Sequence, residues 1–341
     1  MQVTLKDVAE KSGYSVTTVS RALAGYDDVS ERTRQHILTV ARGLGYQPNL
    51  VARQLRSQRT FTIGMIIPSE MSNPEDNFFS ILIKGVTHTA ARLHYDVLIS
   101  AQLPNADEMD AYHRIVGGNR VDGMILARTY LNDPRIDYLK TIDHPFVVSG
   151  RAAPDQLSDF AFIDVDSQSG IRWMVEHFIA YGHEYIGLIL PPEQLAYTAF
   201  RFAGYRDGLK AAQIPFRSEY LIHGDLSRDS GYKSTNRLLD RAPQITAIVA
   251  CNDLMALGAM QAIQNRGLQV GWDIAVGGFD DIPEAAHHTV SLTTIRQPIY
   301  EIGTGLTEML VEQITGKRTS QKGIMLEPEL VIRASSGYRR R

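Results

Sequence analysis

Residues 15–25, SVTTVSRALAG, combine small hydroxyl side chains with one long cation. Ser and Thr are poor residues for a helix interior, yet Thr17, Thr18 and Ser20 stand in a segment with the pattern of a short helix. On a helix that enters the DNA major groove, such side chains allow close approach, bond phosphates or base edges, and contact the thymine methyl. Arg21 supplies a long donor for guanine or phosphate. The segment therefore predicts a surface that reads DNA.

Three short amphipathic segments have to hold this surface in position. Thr4, followed three residues later by Asp7, forms a variant capping box for a first helix that ends at Gly13. Ser15 caps the second helix, and Ser30 caps a third one that runs to about residue 44. Two short helices joined by SGYS fit a helix-turn-helix. A small three-helix bundle that binds a protein stays open as the alternative.

A fourth helical segment, LVARQLRSQ, follows the break QPN. Ala52 and Leu55 lie three residues apart on one face, so Leu55 could wedge between base steps in the minor groove and bend the duplex. On composition alone, packing of Leu55 against the large domain is the more ordinary interpretation. Because a helix of about nine residues is marginal in isolation, we expect this one to fold only when it docks on DNA and on a second copy of the chain.

Charge divides the chain into a small basic part and a large acidic part. Residues 1–60 carry nine Lys/Arg and five Asp/Glu, whereas the remainder carries 26 Lys/Arg and 33 Asp/Glu. A basic module on an acidic body is the pattern of a polyanion binder with a separate second domain. The length of 341 residues also favours two to three domains.

Several classes of protein are disfavoured by what the sequence lacks. No apolar run reaches the roughly 18 residues of a membrane helix, and the first residues include no apolar signal region. Cys251 is the only cysteine. Together these observations predict a cytoplasmic protein without a membrane contact. Walker A, dinucleotide-binding and G-x-S-x-G motifs are missing. The adjacent His287 and His288 point apart on a regular element and are weak metal ligands. We therefore expect no enzyme activity, no catalytic residues, no cofactor and no metal.

From Thr60 onward, short apolar runs alternate with longer amphipathic segments, which predicts parallel α/β sheets. Roughly 280 residues are too many for one open sheet, so the sequence predicts two doubly wound lobes. The predicted strands are 61–67, 95–101, 123–127, 146–150, 185–190, 246–250 and 273–279. The predicted helices are 77–94, 166–181, 198–213, 228–241, 252–266 and 298–315.

Polar side chains stand at or just beyond predicted strand ends, where α/β folds bind ligands. They are Arg201, Asn252 and Asp280. Guanidinium, amide and carboxylate groups bond vicinal hydroxyls, and an aromatic face from Phe78 or Phe79 completes a sugar site. The sequence therefore predicts a cleft for a small effector, with a sugar or sugar derivative preferred and a purine or another metabolite left open.

Each of these residues also has a structural interpretation. Arg201 could be an ion-pair partner, the two phenylalanines could belong to the core, and Asp253 could simply cap the helix that it begins. Arg128 and Arg151, which both follow predicted strands, are further candidates for the cleft.

The headpiece pattern TLKDVAEKSGYSVTTVSRALAG…VSERTRQHILTVARGLGYQPNLVARQL closely resembles the LacI/GalR family of bacterial transcription regulators. The likeness continues through IGMIIP, FRFAGYRDGL, CNDLMALGAMQAI, GGFDDI and LTTIRQPIYEIG. The resemblance implies an α/β fold with an N-terminal helix-turn-helix headpiece and a two-lobed periplasmic-binding-protein-like core of doubly wound parallel sheets. It also implies a repressor that binds pseudopalindromic double-stranded operator DNA as a homodimer and responds to a small, carbohydrate effector.

Site residues follow from the resemblance position by position. Val16, Thr17 and Arg21 match base-contacting positions, Ser30, Thr33 and Asn49 match backbone contacts, and Ala52 and Leu55 match the hinge helix. The complete predicted DNA-contacting set is Thr4, Val16, Thr17, Thr18, Ser20, Arg21, Ser30, Thr33, Asn49, Ala52 and Leu55. The predicted effector-binding set is Phe78, Phe79, Arg128, Arg151, Arg201, Asn252, Asp280 and Gln297.

The expected domains are a headpiece (1–48), a hinge helix and linker (49–59), and an effector-binding and dimerisation core (60–341). Within the core, the N-lobe is expected at about 60–162 plus 291–320. The C-lobe is expected at about 163–290 plus 321–341. The last residues, LVIRASSGYRRR, lack leucine heptads, which favours a dimer over a tetramer.

Overall fold

The computed structural model describes residues 3–23, 26–46, 59–67, 77–101, 108–154, 158–317 and 322–337. The chain divides into two compact units, residues 1–60 and residues 61–341.

In its described residues, 3–23, 26–46 and 59–60, the N-terminal unit contains three short helices, α1 (Leu5–Ser12), α2 (Val16–Leu23) and α3 (Glu31–Gly43). Gly13 ends α1 at a φ of 75°, in the left-handed region that glycine tolerates. The helices are too short to be stable alone and are held by a shared apolar core. Its buried members are Val8, Ala9, Val19, Ala22, Val29, Ile37 and Ala41.

The second unit alternates strands and helices. Its strands are β1 (Thr62–Ile67), β2 (Asp96–Ala101), β3 (Gly123–Ala127), β4 (Phe146–Ser149), β5 (Ala161–Val165), β6 (Ile186–Leu190), β7 (Leu221–His223), β8 (Ala247–Ala250), β9 (Ala275–Asp280), β10 (Thr293–Arg296), β11 (Gly323–Leu326) and β12 (Glu329–Val331). Its α-helices are α4 (Asn77–Arg92), α5 (Glu108–Val116), α6 (Pro134–Thr141), α7 (Ser167–Ala180), α8 (Ala196–Ala211), α9 (Arg228–Arg241), α10 (Asp253–Asn265), α11 (Pro283–His287) and α12 (Ile299–Ile314).

Within the described ranges, the strands form two six-stranded sheets, one for each lobe. The first sheet has the order β11-β5-β4-β3-β1-β2, and its paired strands are parallel. The second has the order β12-β10-β9-β8-β6-β7, in which only the β10–β12 pair is antiparallel. Parallel strands need covered faces, and β3, β6 and β8 are accordingly buried along their whole length. The predicted fold class is confirmed.

The chain passes between the lobes three times, after β5, after β10 and after β11. These crossings lie a few residues from the approximate lobe boundaries expected near 163, 291 and 321. Strand β10 pairs with β9 in the second lobe, and β11 pairs with β5 in the first. The reason is that membership of a sheet depends on the hydrogen-bonded neighbour, which a local apolar pattern does not contain.

Helix α12 returns the chain to the first lobe and packs on α4 and on β3, β4 and β5. Two glycines allow the two helix backbones to touch. A Cβ atom on Gly85 would lie 2.3 Å from the Tyr300 carbonyl oxygen, and one on Gly303 would lie 2.5 Å from that of Leu82. Any side chain at either position would push the helices apart.

The predicted helices of the core match α4, α7, α8, α9, α10 and α12 to within two residues at each end. The sequence pattern missed the short helices α5, α6 and α11 and the short strands β5, β7, β10, β11 and β12. Elements of three to nine residues offer too few periods for a clear pattern. Within the described ranges, no helix combines the length and the apolarity that crossing a bilayer requires.

Candidate functional site

The outward face of α2 is formed by the residues that the sequence singled out. Val16 is 42% exposed, and Thr17 and Arg21 are exposed beside it. Val19 and Ala22, on the opposite face, are buried in the helical core. The inward residues hold the helix, so the outward ones are free to meet a groove. Their contact with DNA stays a prediction.

Several hydroxyl groups predicted to contact DNA already form hydrogen bonds at the starts of helices. The Ser15 hydroxyl accepts a hydrogen bond from the Thr18 amide at 3.1 Å and lies 2.8 Å from the Thr18 hydroxyl. In the same way, the Ser30 hydroxyl accepts from the Thr33 amide at 3.3 Å and lies 2.9 Å from its hydroxyl. Because such a hydroxyl can both donate and accept, capping leaves each able to bond a phosphate.

At the start of α1, the Thr4 amide and hydroxyl both donate to the Asp7 carboxylate, at 2.7 and 2.8 Å. These hydrogen bonds lower the pKa of Asp7 below its usual value. Ser20 is partly buried. The predicted contacts Asn49, Ala52 and Leu55 lie outside the described residues.

The Arg21 guanidinium is paired with a carboxylate. Nε of Arg21 donates to Asp28 Oδ1 at 3.1 Å, and Nη2 lies 2.5 Å from Asp28 Oδ2. The guanidinium carbon also lies 5.2 Å from the ring centroid of Tyr26. This pairing was not anticipated from the sequence.

A cavity lies where the carboxyl ends of strands from both sheets meet. The first lobe contributes Phe78, Arg128, Ser149, Gly150, Asp164, Val165 and Ile302. The second contributes Ser167, Tyr197, Arg201, Leu226, Asn252, Asp280 and Gln297. Strand ends meeting across a crevice are the usual ligand position in open α/β folds. The structure thus brings six of the eight predicted effector residues to one cavity, and leaves Phe79 and Arg151 off its wall.

Arg201 projects from α8 between two aromatic rings. Its guanidinium carbon lies 4.5 Å from the Tyr197 ring centroid and 3.9 Å from that of Phe279. Nη1 donates to the Cys251 carbonyl oxygen, whereas the buried Nε has no acceptor within the described part of the chain. A fixed cation with an unused buried donor is suited to an oxygen of a bound molecule.

Asn252, at the end of β8, caps helix α10. Its Oδ1 accepts from the Met255 amide at 3.0 Å, and its Nδ2 donates to the Leu226 carbonyl oxygen at 2.8 Å. The alternative interpretation of Asp253 as the cap is therefore wrong. Asp253 is fully buried and instead accepts from the Ile282 amide at 2.8 Å and from the Thr294 hydroxyl at 2.5 Å.

Burial, with a smaller contribution from the nearby Asp280 carboxylate, raises the pKa of Asp253 well above its usual value. Asp253 thus links α10, β10 and the segment after β9 beneath the cavity. Its role is to fix the strand ends that form the wall.

Asp280 and Asp281 form a sharp backbone corner at the end of β9, with φ values of 117° and 56°. Side chains other than glycine rarely adopt such values, and such conformations are concentrated at functional sites. Gln297 Nε2 donates to Asp280 Oδ1 at 2.6 Å. Asp281 is held by Arg296 at 2.7 Å and by Arg333 at 2.6 Å. The corner separates the two carboxylates, and Asp280 lies on the wall of the cavity.

The wall from the first lobe combines an aromatic ring and a cation. The Arg128 guanidinium carbon lies 5.4 Å from the ring centroid of Phe78 and 5.0 Å from that of Phe79. Phe79 is buried in the lobe's core, which is the structural interpretation left open for it. Phe78 is partly buried and lies on the wall.

Comparisons with known proteins agree along the whole chain. Residues 4–49 match the model of bacterial regulatory proteins of the lacI family, and residues 175–336 match a periplasmic binding protein-like domain. The HTH-type transcriptional regulator AglR of Rhizobium meliloti is 32% identical over 99% of this chain and 95% of its own length. The repressor CytR of Escherichia coli K12 is 32% identical over 98% of this chain and 96% of its own length.

The chain belongs to the LacI family.

Solved structures of this family have the same fold. The lac repressor dimer bound to operator and the anti-inducer ONPF matches with a TM-score of 0.83 at 30% identity, over 99% of this chain and 100% of that one. The CelR–cellobiose complex matches with a TM-score of 0.77 at 30% identity, over 98% of this chain and 100% of that one. The chain is therefore a helix-turn-helix transcriptional regulator.

Asp164 and Tyr197 on the wall of this LacI-family cavity were missed by the sequence analysis. Burial raises the pKa of Asp164 to about 6, against the lowering effect of Arg151, whose Nε lies 3.1 Å from its Oδ2. Tyr197 stands one helical turn before Arg201 on α8. Asp164 was missed because β5 was not among the predicted strands. Tyr197 could have been found, because it precedes Arg201 by four residues on the same helix.

The loop after β3 connects the wall to the opposite lobe. The Ala196 amide donates to the Thr129 carbonyl oxygen at 2.9 Å, and the Leu131 amide donates to that of Gln194 at 2.8 Å. These two hydrogen bonds join the lobes beside the cavity. A change in the loop would therefore reach both the wall and the lobe contact.

A buried ionic cluster fixes this loop. Arg135 is 1% exposed and donates to Asp133 Oδ1 and Oδ2 at 2.8 and 2.6 Å, and to Glu108 Oε1 at 3.0 Å. Its Nη2 also donates to the Arg128 carbonyl oxygen at 2.7 Å. Arg128 has a φ of 57°, so the cluster holds a strained backbone turn next to the cavity.

Proposed function

We propose that this LacI-family regulator is a repressor that binds a pseudopalindromic operator as a homodimer and whose operator affinity is controlled by a sugar or sugar derivative held between the lobes. The observation that carries the proposal is the cavity at the facing strand ends, where Arg201, Asn252, Asp280 and Gln297 surround one space with Phe78. Convergent polar groups beside an aromatic face suit a polyhydroxylated ligand. Proteins that act on DNA work in the bacterial cytoplasm, and we assign the chain there.

Relatives support both parts of the proposal. One related structure is a lac repressor dimer on operator DNA, and another is CelR with cellobiose. The curated relatives are transcriptional regulators, and we propose that this chain likewise catalyses no reaction.

We assign a separate function to each of three consecutive parts of the chain. Residues 1–48 form the DNA-binding headpiece, 49–59 a hinge helix and linker, and 60–341 the effector-binding and dimerisation core. Thr17 and Arg21 on α2 read base edges in the major groove. Leu55 wedges into the minor groove at the centre of the operator.

Control of the operator follows from linkage. An effector can shift the regulator only by binding one arrangement of the lobes more tightly than the other. Because the cavity is lined from both lobes, a bound sugar changes how the lobes meet. We propose that this change alters the spacing of the first lobes in the dimer and so orders or melts the hinge helices.

The test is selection of binding sites from random duplex DNA by the purified chain, repeated with a panel of mono- and disaccharides and nucleobases. We expect a pseudopalindrome of roughly 14–20 base pairs, with two half-sites about one turn apart. One sugar should weaken or strengthen binding, and the direction identifies inducer or corepressor. Absence of any enriched site at low salt would refute the DNA-binding proposal, and a response to nucleobases alone would refute the sugar.

Two variants assign the effects to the proposed sites. Arg21→Ala should abolish selection of the operator, and Asp280→Ala should abolish the response to the sugar while operator binding remains. Arg217→Ala is the matched control, because Arg217 is about half exposed and lies in the second lobe away from the cavity wall.

A further inference from the structure

The side-on pairing of Arg21 with Asp28 leaves one edge of the guanidinium open. Asp28 takes Nε and Nη2, at 3.1 and 2.5 Å. The opposite edge carries Nη1 and the second proton of Nη2. A guanine is read by two parallel donors on its O6 and N7 atoms, and the open edge presents two such donors. The Arg21 side chain is 46% exposed.

Asp28 stands in a segment that is itself fixed. The Tyr26 amide donates to the Arg21 carbonyl oxygen at 3.1 Å, and the Val29 amide donates to that of Tyr26 at 3.2 Å. Arg34 of α3 donates to the Tyr26 carbonyl oxygen at 2.8 Å. Val29 is buried in the helical core. The backbone on either side of Asp28 is therefore fixed, and its carboxylate pairs with the flexible arginine.

Fixing the guanidinium has a physical consequence for recognition. A free arginine loses side-chain entropy when it binds a base, and it can rotate to bond a phosphate instead. An arginine already oriented by a carboxylate loses less entropy on a correctly placed guanine. The negative charge of Asp28 also weakens attraction to phosphates, which is the sequence-independent part of binding.

We propose that Asp28 is a specificity-determining residue, which positions Arg21 to read one guanine in each operator half-site and suppresses binding to other duplexes. The inference rests on the proposed function, in which α2 enters the major groove. Asp28 need not touch DNA; it acts through the orientation of Arg21. Its effect is therefore on discrimination between bases at one symmetric position.

The test compares the DNA affinities of the wild type and of Asp28→Asn across a salt series. The duplexes are the selected operator, operators substituted at each position of the half-site, and an unrelated sequence. We expect the wild type to prefer guanine at one position by about 5- to 150-fold, the range for a good bidentate pair. Asp28→Asn should lose most of that preference and bind the unrelated duplex as tightly as the wild type or more tightly.

Asp27→Asn is the matched control, since it removes the same charge from the adjacent residue. It should raise affinity for all duplexes slightly and keep the guanine preference. Asp28→Glu, which keeps the charge but displaces the carboxylate, should lose preference with little change in the salt dependence. In the Arg21→Ala background, Asp28→Asn should cause no further loss of preference.

Unchanged base preference in Asp28→Asn, or equal effects of Asp27→Asn and Asp28→Asn, would overturn the inference while leaving the proposed function intact. Failure of the wild type to select any operator would instead overturn the proposed function. Circular dichroism of the variants verifies folding, and because the Asp28 side chain is 51% exposed, we expect it to be unchanged.

Discussion

The guanidinium carbon of Arg151 lies 3.8 Å from the ring centroid of Phe200. Arg151 follows β4 of the first lobe, and Phe200 lies in α8 of the second, so the contact joins the two lobes. The same side chain is paired with Asp164, whose carboxylate lies on the cavity wall. Arg151 therefore connects the wall of the cavity with the opposite lobe, although it does not line the cavity itself.

Phe200→Leu should weaken binding of the effector sugar. The substitution removes the aromatic face but keeps the Arg151–Asp164 pair, and a cation–π contact of this kind contributes about 0.5–2 kcal/mol. Since the contact favours the observed arrangement of the lobes, we expect a loss of affinity of about 2- to 30-fold by calorimetry. Phe202→Leu is the control, because its cation partner, Arg206, lies in the same lobe at 5.9 Å. Equal losses in both variants would contradict the role of the interlobe contact.

Stability should depend on pH through Asp164. Burial raises its pKa to about 6 in the folded protein, above the ordinary value of 3.8. The folded state therefore binds this proton more tightly than the unfolded state. Its stabilising contribution is complete below about pH 4 and is lost as the pH rises through about 6.

The free energy of unfolding of the wild type, minus that of Asp164→Asn, should therefore decrease by roughly 2 kcal/mol between pH 4 and 7. Asp253, which is common to both proteins, cancels in the difference. Asp159→Asn provides a control of opposite sign, because Lys140 lowers the pKa of Asp159 and the corresponding difference should increase with pH. Denaturant unfolding at several pH values measures both differences, and a flat profile for Asp164→Asn would contradict the prediction.

Asp280→Asn should reduce the response to the sugar more than it reduces stability. The carboxylate accepts a hydrogen bond from Gln297 at 2.6 Å and lies on the cavity wall. Hydrogen bonds to charged groups contribute about 1.5–3 kcal/mol, so we expect affinity to fall by about 10- to 150-fold in an operator-release titration. Asp229→Asn, in an exposed pair with Lys233, is the control and should leave the titration unchanged.

Arg135→Met should destabilise the core strongly. It leaves the carboxylates of Asp133 and Glu108 without their buried cation, and removing one partner of a buried pair costs about 3–5 kcal/mol. Arg92→Met breaks an exposed pair with Glu308 and should cost about 0–1 kcal/mol. Denaturant unfolding compares the two. A similar loss in both variants would mean that the cluster does not stabilise the loop after β3.

The headpiece could be predicted closely because its signals are local. Thr4, Ser15 and Ser30 stand immediately before the helices that they start, and Gly13 adopts the left-handed conformation expected after α1. The partner of Arg21 could not be predicted, because Asp28 reaches it only through the fold of the segment between α2 and α3.

Strand ends in the core were predictable, but their pairing was not. Asp280 and Asn252 follow strongly apolar strands and reach the cavity as expected from the topology. Strand β10 carried no sign that it would pair with β9 instead of joining the first lobe. Asp253 shows the same limit, since its hydrogen bond to Thr294 exists only after β10 has taken its place.

The three passages of the chain between the lobes determine the order in which the protein can fold during synthesis. The second lobe's central strands and helices, from α7 to α11, form one uninterrupted stretch, whereas the first lobe lacks α12 and β11 until nearly all of the chain has left the ribosome. At about 5–20 residues per second, the nascent first lobe waits several seconds with one face of its sheet only partly covered, by α4. The lobe whose synthesis begins first is thus still incomplete when the central part of the second lobe has been made, and the interval before α12 arrives is when a chaperone has most apolar surface to protect.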